Sequence, residues 1–160
     1  MITTHVEELH RCLEELKPLF PDHYRELALN QDKVQLDPQY EVYLTREAAG
    51  EVLCVTCREG GAVLAYFVGF VAPGLHYRRC LTLTQDILWL HPDYRAVDSL
   101  SGIEEDMVIE QLISAVKREA LRRGVQRVFL GTKVHWDLGK LFESMGLNEC
   151  DRYYSAWWGE

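Results

Sequence analysis

With 160 residues, 48% of them apolar and 11% aromatic, the chain is long enough to bury a substantial core and too apolar to be disordered. Its 25 acidic residues against 17 basic ones give a formal net charge of −8, which disfavours coating duplex DNA or an anionic membrane. No run approaches a membrane span, and the opening MITTHVEELHRCLEEL has no apolar leader, so the expected location is the cytoplasm.

Apolar side chains at Val6, Leu9, Leu13 and Leu16 predict a helix over 6–19, broken by Pro18 and Pro21. A second short helix is expected over 23–29, a polar loop over 30–43, and a third short helix over 44–49 capped by Gly50. Residues 51–58 read as a strand, Glu59-Gly60-Gly61 as a hairpin turn, and 62–71 as a strand apolar on both faces and therefore central. Pro73-Gly74 turns the chain through a tip holding His76, Tyr77, Arg78 and Arg79, and 80–90 returns as a third strand. A long helix is expected over 103–123, with Arg122 and Arg123 on its last turn and Gly124 ending it. A strand over 125–130, a short helix over 137–145 closed by Gly146, and a final strand over 150–158 complete the chain.

Five scattered cysteines do not make a disulfide framework. Cys54 and Cys57 have metal-site spacing, but in a strand positions three apart face opposite ways and no second pair follows, so no metal is expected.

With no linker or repeat, the chain reads as one domain over 1–160. The strand ending at Leu90, the long helix and the strand from Val125 form a crossover joining parallel neighbours. The fold class is therefore α/β (α+β): a mixed, mainly antiparallel sheet with a parallel central pair, flanked by helices. Ligands in such sheets bind beyond the carboxyl ends of the strands, beside the helix N-terminus.

This arrangement, with ILWLHPDYR (87–95) and Gly102-Ile103 at the junction, resembles the GNAT superfamily of acyl-CoA-dependent N-acetyltransferases. The strand-Val-x-Pro-x-x-Arg element of that family is similar to Leu90-His91-Pro92-Asp93-Tyr94-Arg95, and LFESMGL (141–147) is similar to its LYEKLGF helix end. LDPQYEVY, PGLHYRR and TKVHWDLGKLFESMG further resemble GNAT-like proteins of tailed phages and prophages, which would place the chain in a host cytoplasm.

The resemblance implies acetyl-CoA as cosubstrate. Its pantetheine amides would pair with backbone near Leu88 and Leu90, and its pyrophosphate would meet Arg95 and backbone N–H groups up to Gly102 and Ile103. Asp86, on the strand leading to the thioester, is the candidate general base; a solvated strand acid is the plain alternative. His76 and Tyr77 at the hairpin tip, and His135 and Asp137 before the short helix, are candidates for the acceptor pocket. Asp137 also reads as an N-cap. Of Trp157 and Trp158, alternation sends one into the core and one to the rim.

Two departures weigh against this. Six residues separate Arg95 from Gly102, so the loop is longer than the family's glycine-rich turn, and Glu104 falls where a second small residue belongs. Glu104 would crowd and repel the pyrophosphate and implies weakly held acetyl-CoA; the longer loop cradling the phosphates in another way is the alternative. Phe142 replaces the tyrosine that often protonates the leaving thiolate. The reading is an N-acyltransferase acting on a small-molecule amine or a protein lysine. Its rival is a non-catalytic protein of the same fold that binds a partner protein. A homodimer through edge strands or the final strand is open.

Overall fold

The computed structural model describes residues 1–95 and 99–159, the side chains of 99–102 and 104 excepted. Five strands, β1 (Ile2–Glu7), β2 (Val52–Glu59), β3 (Ala62–Gly74), β4 (Tyr77–Leu90) and β5 (Arg127–Phe129), form one sheet in the order β1-β2-β3-β4-β5. The first four pair antiparallel; β4 and β5 are parallel, as the crossover requires. The helices are α1 (Leu9–Leu16), α2 (Phe20–Leu27), α3 (Tyr40–Ala48), α4 (Ser99–Arg122) and α5 (Gly139–Ser144). No helix is long and apolar enough to cross a membrane among the described residues.

Each face of the sheet carries its own core. On one face α4 and α5 bury Ile109, Leu112, Val116 and Phe142 against Val55, Phe67, Leu83 and Leu90. On the other, Leu9, Leu13, Leu16 and Phe20 pack on Cys54, Tyr66, Val68 and Trp89, with Tyr40, Tyr43 and Leu44 of α3 at the margin. Cys54 and Cys57 thus lie in opposite cores, as strand alternation demands.

The N-terminus differs from expectation. Residues 2–7 are β-branched or polar at every second position and form the edge strand β1, with Val6 paired to Val55 and half exposed. The helical stripe starts only at Leu9, whose N–H, with that of His10 at 3.0 Å, is capped by the carboxylate of Glu47 on α3. The third helix starts at Tyr40 rather than 44, and α4 at Ser99 rather than 103. The β3–β4 hairpin turns at Leu75-His76, beyond the expected Pro73-Gly74.

The expected final strand does not form: residues 150–159 hold no regular element. Trp157 is 42% and Trp158 95% exposed, so neither enters the core. A strand needs a neighbour to satisfy its backbone, and this segment runs past the sheet without pairing.

Candidate functional site

Pairing between β4 and β5 covers only Thr82↔Arg127, Leu83↔Val128 and Thr84↔Phe129. Past Thr84 the two strands diverge, and Gln85 Oε1 accepts from the Gly131 N–H at 3.1 Å across the start of the gap. On its other side β4 stays paired with β3 through Leu90.

A β-bulge sits where the strands part. Val68 pairs with Ile87 and Gly69 with Gln85, leaving Asp86 as the extra residue. The bulge switches the phase of β4: Leu81 and Leu83 face the α4 core before it, and Leu88 and Leu90 after it. Asp86 and Ile87 are thereby turned to the same face, toward α3. There the Tyr43 hydroxyl donates to Asp86 Oδ2, and burial, then the Asp86 carboxylate, raise the Tyr43 phenol well above its ordinary pKa. Gly69 permits the kink: a Cβ there would lie 2.7 Å from both Leu83 Cδ1 and Phe67 Cε1.

The gap opens into a cleft of about 790 Å³. Its walls come from α2 and the loop after it, from the β4 stretch Gln85–Leu88, from Gly131–Trp136 after β5, and from Tyr153, Tyr154 and Ser155. Asp37 and Asp86 supply negative charge, and Phe20, Tyr24, Tyr43 and Trp136 supply rings. His23, also in the wall, is held neutral: burial above all, then the charges of Arg95 and Lys133, lower its pKa to about 4. The His91 N–H donates to Leu64 O on β3 at 2.7 Å. By alternation, the polar groups of Leu88 and Leu90 point to the opposite side, into the gap.

Arg95 closes the far end of the gap. Its Nε and Nη2 donate to Leu90 O at 3.1 and 3.0 Å, and Nη2 pairs with Glu26 Oε2 of α2 at 2.5 Å. The guanidinium also stacks 4.6 Å from the Trp136 ring centroid, and the indole N–H donates to Glu105, a buried carboxylate of α4. The guanidinium expected to meet phosphate thus contacts Leu90 O, Glu26 and the Trp136 ring.

Of the other sequence candidates, Leu88 and Leu90 lie on the gap with Asp86. His135 lines the cleft, its Nε2 2.8 Å from Glu26 O. Asp137 accepts from the Gly139 N–H at 2.8 Å, but the N-cap position of α5 is Leu138, so the expected N-cap falls one residue early; Asp137 does not line the cleft. His76 and Tyr77 sit at the opposite end of β4, where Arg127 lies 4.7 Å from the Tyr77 ring centroid; the fold does not bring them to the cleft. Ile103 is 58% exposed on α4. Gly102 falls inside the start of α4 rather than in a turn before it, and its surroundings, with those of Glu104 and residues 96–98, lie outside the described residues. Sequence reasoning missed His23, Tyr43, Gln85 and Trp136. The phase change in LTLTQDILWL, from leucine at odd positions to leucine at even ones, was a readable sign of the bulge.

No family model matches the chain, and no curated protein matches it. Solved structures do match. A GCN5-related N-acetyltransferase from Ralstonia eutropha JMP134 superposes with a TM-score of 0.71 at 19% identity, covering 99% of this chain and 100% of that one. A ribosomal-protein-alanine N-acetyltransferase from Brucella melitensis biovar Abortus 2308 gives 0.69 at 17% identity over 100% of this chain and 99% of that one. AAC(6′)-Iy, in complex with the bisubstrate analogue CoA-S-monomethyl-acetylneamine, gives 0.61 at 14% over 98% and 97%. At these identities the likeness is one of fold: a mixed, mainly antiparallel five-stranded sheet flanked by helices, with the parallel β4–β5 pair of the GNAT fold.

Proposed function

We propose that the chain transfers an acetyl group from acetyl-CoA to a primary amine. The observation that carries this reading is the opened β4–β5 pair with Asp86 presented on a bulge beside it. The backbone of Leu88 offers a peptide-like edge for the amides of a pantetheine arm. Tyr43 engages Asp86 Oδ2, leaving Oδ1 to take the proton of an incoming ammonium. The amine lone pair then attacks the thioester carbonyl carbon. In this reading the N–H of Leu88, which alternation turns toward the gap, donates to the resulting oxyanion. The nitrogen of the adduct sheds its second proton to solvent, and collapse breaks the C–S bond and expels the thiolate, which Phe142 cannot protonate, so the thiolate takes its proton from solvent. The likeness to acetyltransferases, one of them with a CoA-derived analogue bound, supports this chemistry. Asp37, Asp86 and the tyrosines suit a cationic acceptor, either a small amine or a protein lysine. The sequence resemblance supports a phage or prophage origin and a place in the host cytoplasm.

A second reading, a non-catalytic protein of the same fold that binds a partner protein, draws on Arg95. Its guanidinium contacts Leu90 O, Glu26 and the Trp136 ring, contacts that compete with any phosphate for the same cation. Calorimetric titration with acetyl-CoA, joined to a free-thiol assay over a panel of primary amines, tests both. Saturable binding with amine-dependent thiol release supports the transferase. No heat at millimolar acetyl-CoA, from protein that melts cooperatively, supports the partner-binding reading.

A further inference from the structure

We propose that the tip of the β3–β4 hairpin, together with the start of β5, binds a single-stranded nucleic acid segment. The tip runs Leu75-His76-Tyr77-Arg78-Arg79, all exposed, at the end of the sheet away from the cleft. Most arginines of the chain sit against a carboxylate, Arg46, Arg58, Arg95 and Arg123 among them. Among the described residues Arg78, Arg79 and Arg127 have no such partner, although acids outnumber bases 25 to 17. Three unneutralised guanidiniums at one end of an acidic protein make a local anion site.

Arg127 is held in place. Its guanidinium lies 4.7 Å from the ring centroid of Tyr77 and 5.1 Å from that of Phe129. Its Nε is shut from solvent without a hydrogen-bond partner, so part of its desolvation cost goes unmet within the chain. A phosphate on the outer nitrogens of Arg127 would offset that cost. Alternation points Arg78 and Arg79 to opposite sides of the strand. A flexible chain passing over the tip meets both, and a rigid duplex does not.

The rings decide between an acidic peptide and a nucleic acid. Tyr77 is 56% and Phe129 38% exposed, and the His76 ring stands edge-on to Tyr77 at 6.3 Å. An acidic peptide would meet the arginines and leave these rings wet. An unstacked base meets both kinds of group, and stacking on an aromatic side chain strengthens binding about 5- to 150-fold per base. In a duplex the base faces are already stacked, and a net charge of −8 repels its two phosphate ridges.

Fluorescence anisotropy with labelled oligouridylate and oligothymidylate of about 12 nucleotides tests this without reference to any activity. Binding is expected with the salt dependence of about three phosphate contacts, weakening roughly 40-fold between about 25 and about 150 mM salt. Tighter binding of the ribose strand identifies RNA as the source, and of the deoxyribose strand DNA. Arg78→Ser with Arg79→Ser should weaken binding by about tenfold or more at the lower salt, and Tyr77→Ser by about fivefold or more. Lys33→Ser with Lys140→Ser makes the same change of net charge away from the tip and should leave binding as it is. Both tip arginines are exposed, so their variant keeps the fold even where Tyr77→Ser does not. No binding at about 200 µM protein and the lower salt overturns the proposal, as does binding that survives the arginine variant. A polyglutamate chain or a duplex of like length that competes as well as the single strand overturns it too.

Discussion

The guanidinium of Arg95 stacks 4.6 Å from the ring centroid of Trp136, joining the segment that follows β4 to the segment that follows β5. Glu26 and Leu90 O hold one side of this bridge and Glu105 the other, so α2, β4, the β5 loop and α4 meet at one point. The two strands part at Thr84 and are tied together again here, at the far end of the gap.

The bridge predicts a structural role for Arg95. Arg95→Ala removes its hydrogen bonds to Leu90 O and leaves Glu26, only 27% exposed, without its cation. A loss of about 2–4 kcal/mol in urea unfolding is expected, in the range for breaking a largely buried charged pair. Trp136→Ala clears the indole from the gap and is expected to tighten acetyl-CoA in calorimetry. A large loss of acetyl-CoA affinity in Arg95→Ala, with unfolding unchanged, would assign the arginine to phosphate instead.

Gly69 is the partner of Gln85 at the bulge, and its missing side chain is what lets Leu83 and the Phe67 ring approach. Both neighbours are fully buried and have no room to retreat. Gly69→Ala should therefore cost about 1–3 kcal/mol by overpacking, read as a lowered urea midpoint. A neutral result would mean that the strand flexes here more easily than the packing implies.

Much of this architecture was legible. The periodicity of 6–19, helical in the structure only from Leu9, that of 103–123, and the apolar runs around 51–90 marked the long elements, and the crossover rule placed the parallel pair. What failed depended on contacts between distant residues. Helical spacing from Val6 onward masked β1, whose identity is decided by pairing with β2. The aromatic alternation of 150–158 read as a strand, but within the chain nothing offers it a partner. Asp86 was singled out through the resemblance, as an acid on the strand leading to the thioester. Tyr43 and His23 were not, because only the packing of α2 and α3 on the sheet brings them to the cleft. The contacts of Arg95 with Glu26 and Trp136 were not legible either, since no sequence spacing shows that those side chains reach it.

His23 should make stability depend on pH. Its pKa is near 4 in the folded protein against about 6.5 unfolded, so between these values the unfolded chain binds the extra proton. Its contribution is fully present above pH 6.5 and is lost as pH falls toward 4. Between pH 7 and pH 5 the loss is about 2 kcal/mol by linkage. His23→Phe should remove that part of the slope in urea titrations at the two pH values, while the contribution of carboxylates remains. Equal slopes for variant and wild type would place His23 in contact with water.

Asp86 should carry the pH dependence of any acyl transfer. With the carboxylate in place an ammonium acceptor can be deprotonated at the site; without it, only the small free-base fraction reacts. Asp86→Asn is therefore expected to lower the rate at neutral pH by about 10²–10⁴-fold. The defect should shrink as pH rises toward about 10, where a lysine-like amine loses its proton unaided. Tyr43→Phe keeps the carboxylate and removes only the hydroxyl that orients it, so a smaller loss is expected, in kcat more than in KM. Urea unfolding of both variants separates these effects from a damaged fold. Turnover by Asp86→Asn equal to wild type at pH 7, with acceptor saturating, would remove Asp86 from the chemistry. His23, a neutral imidazole in the same cleft wall, would then be the next base to test.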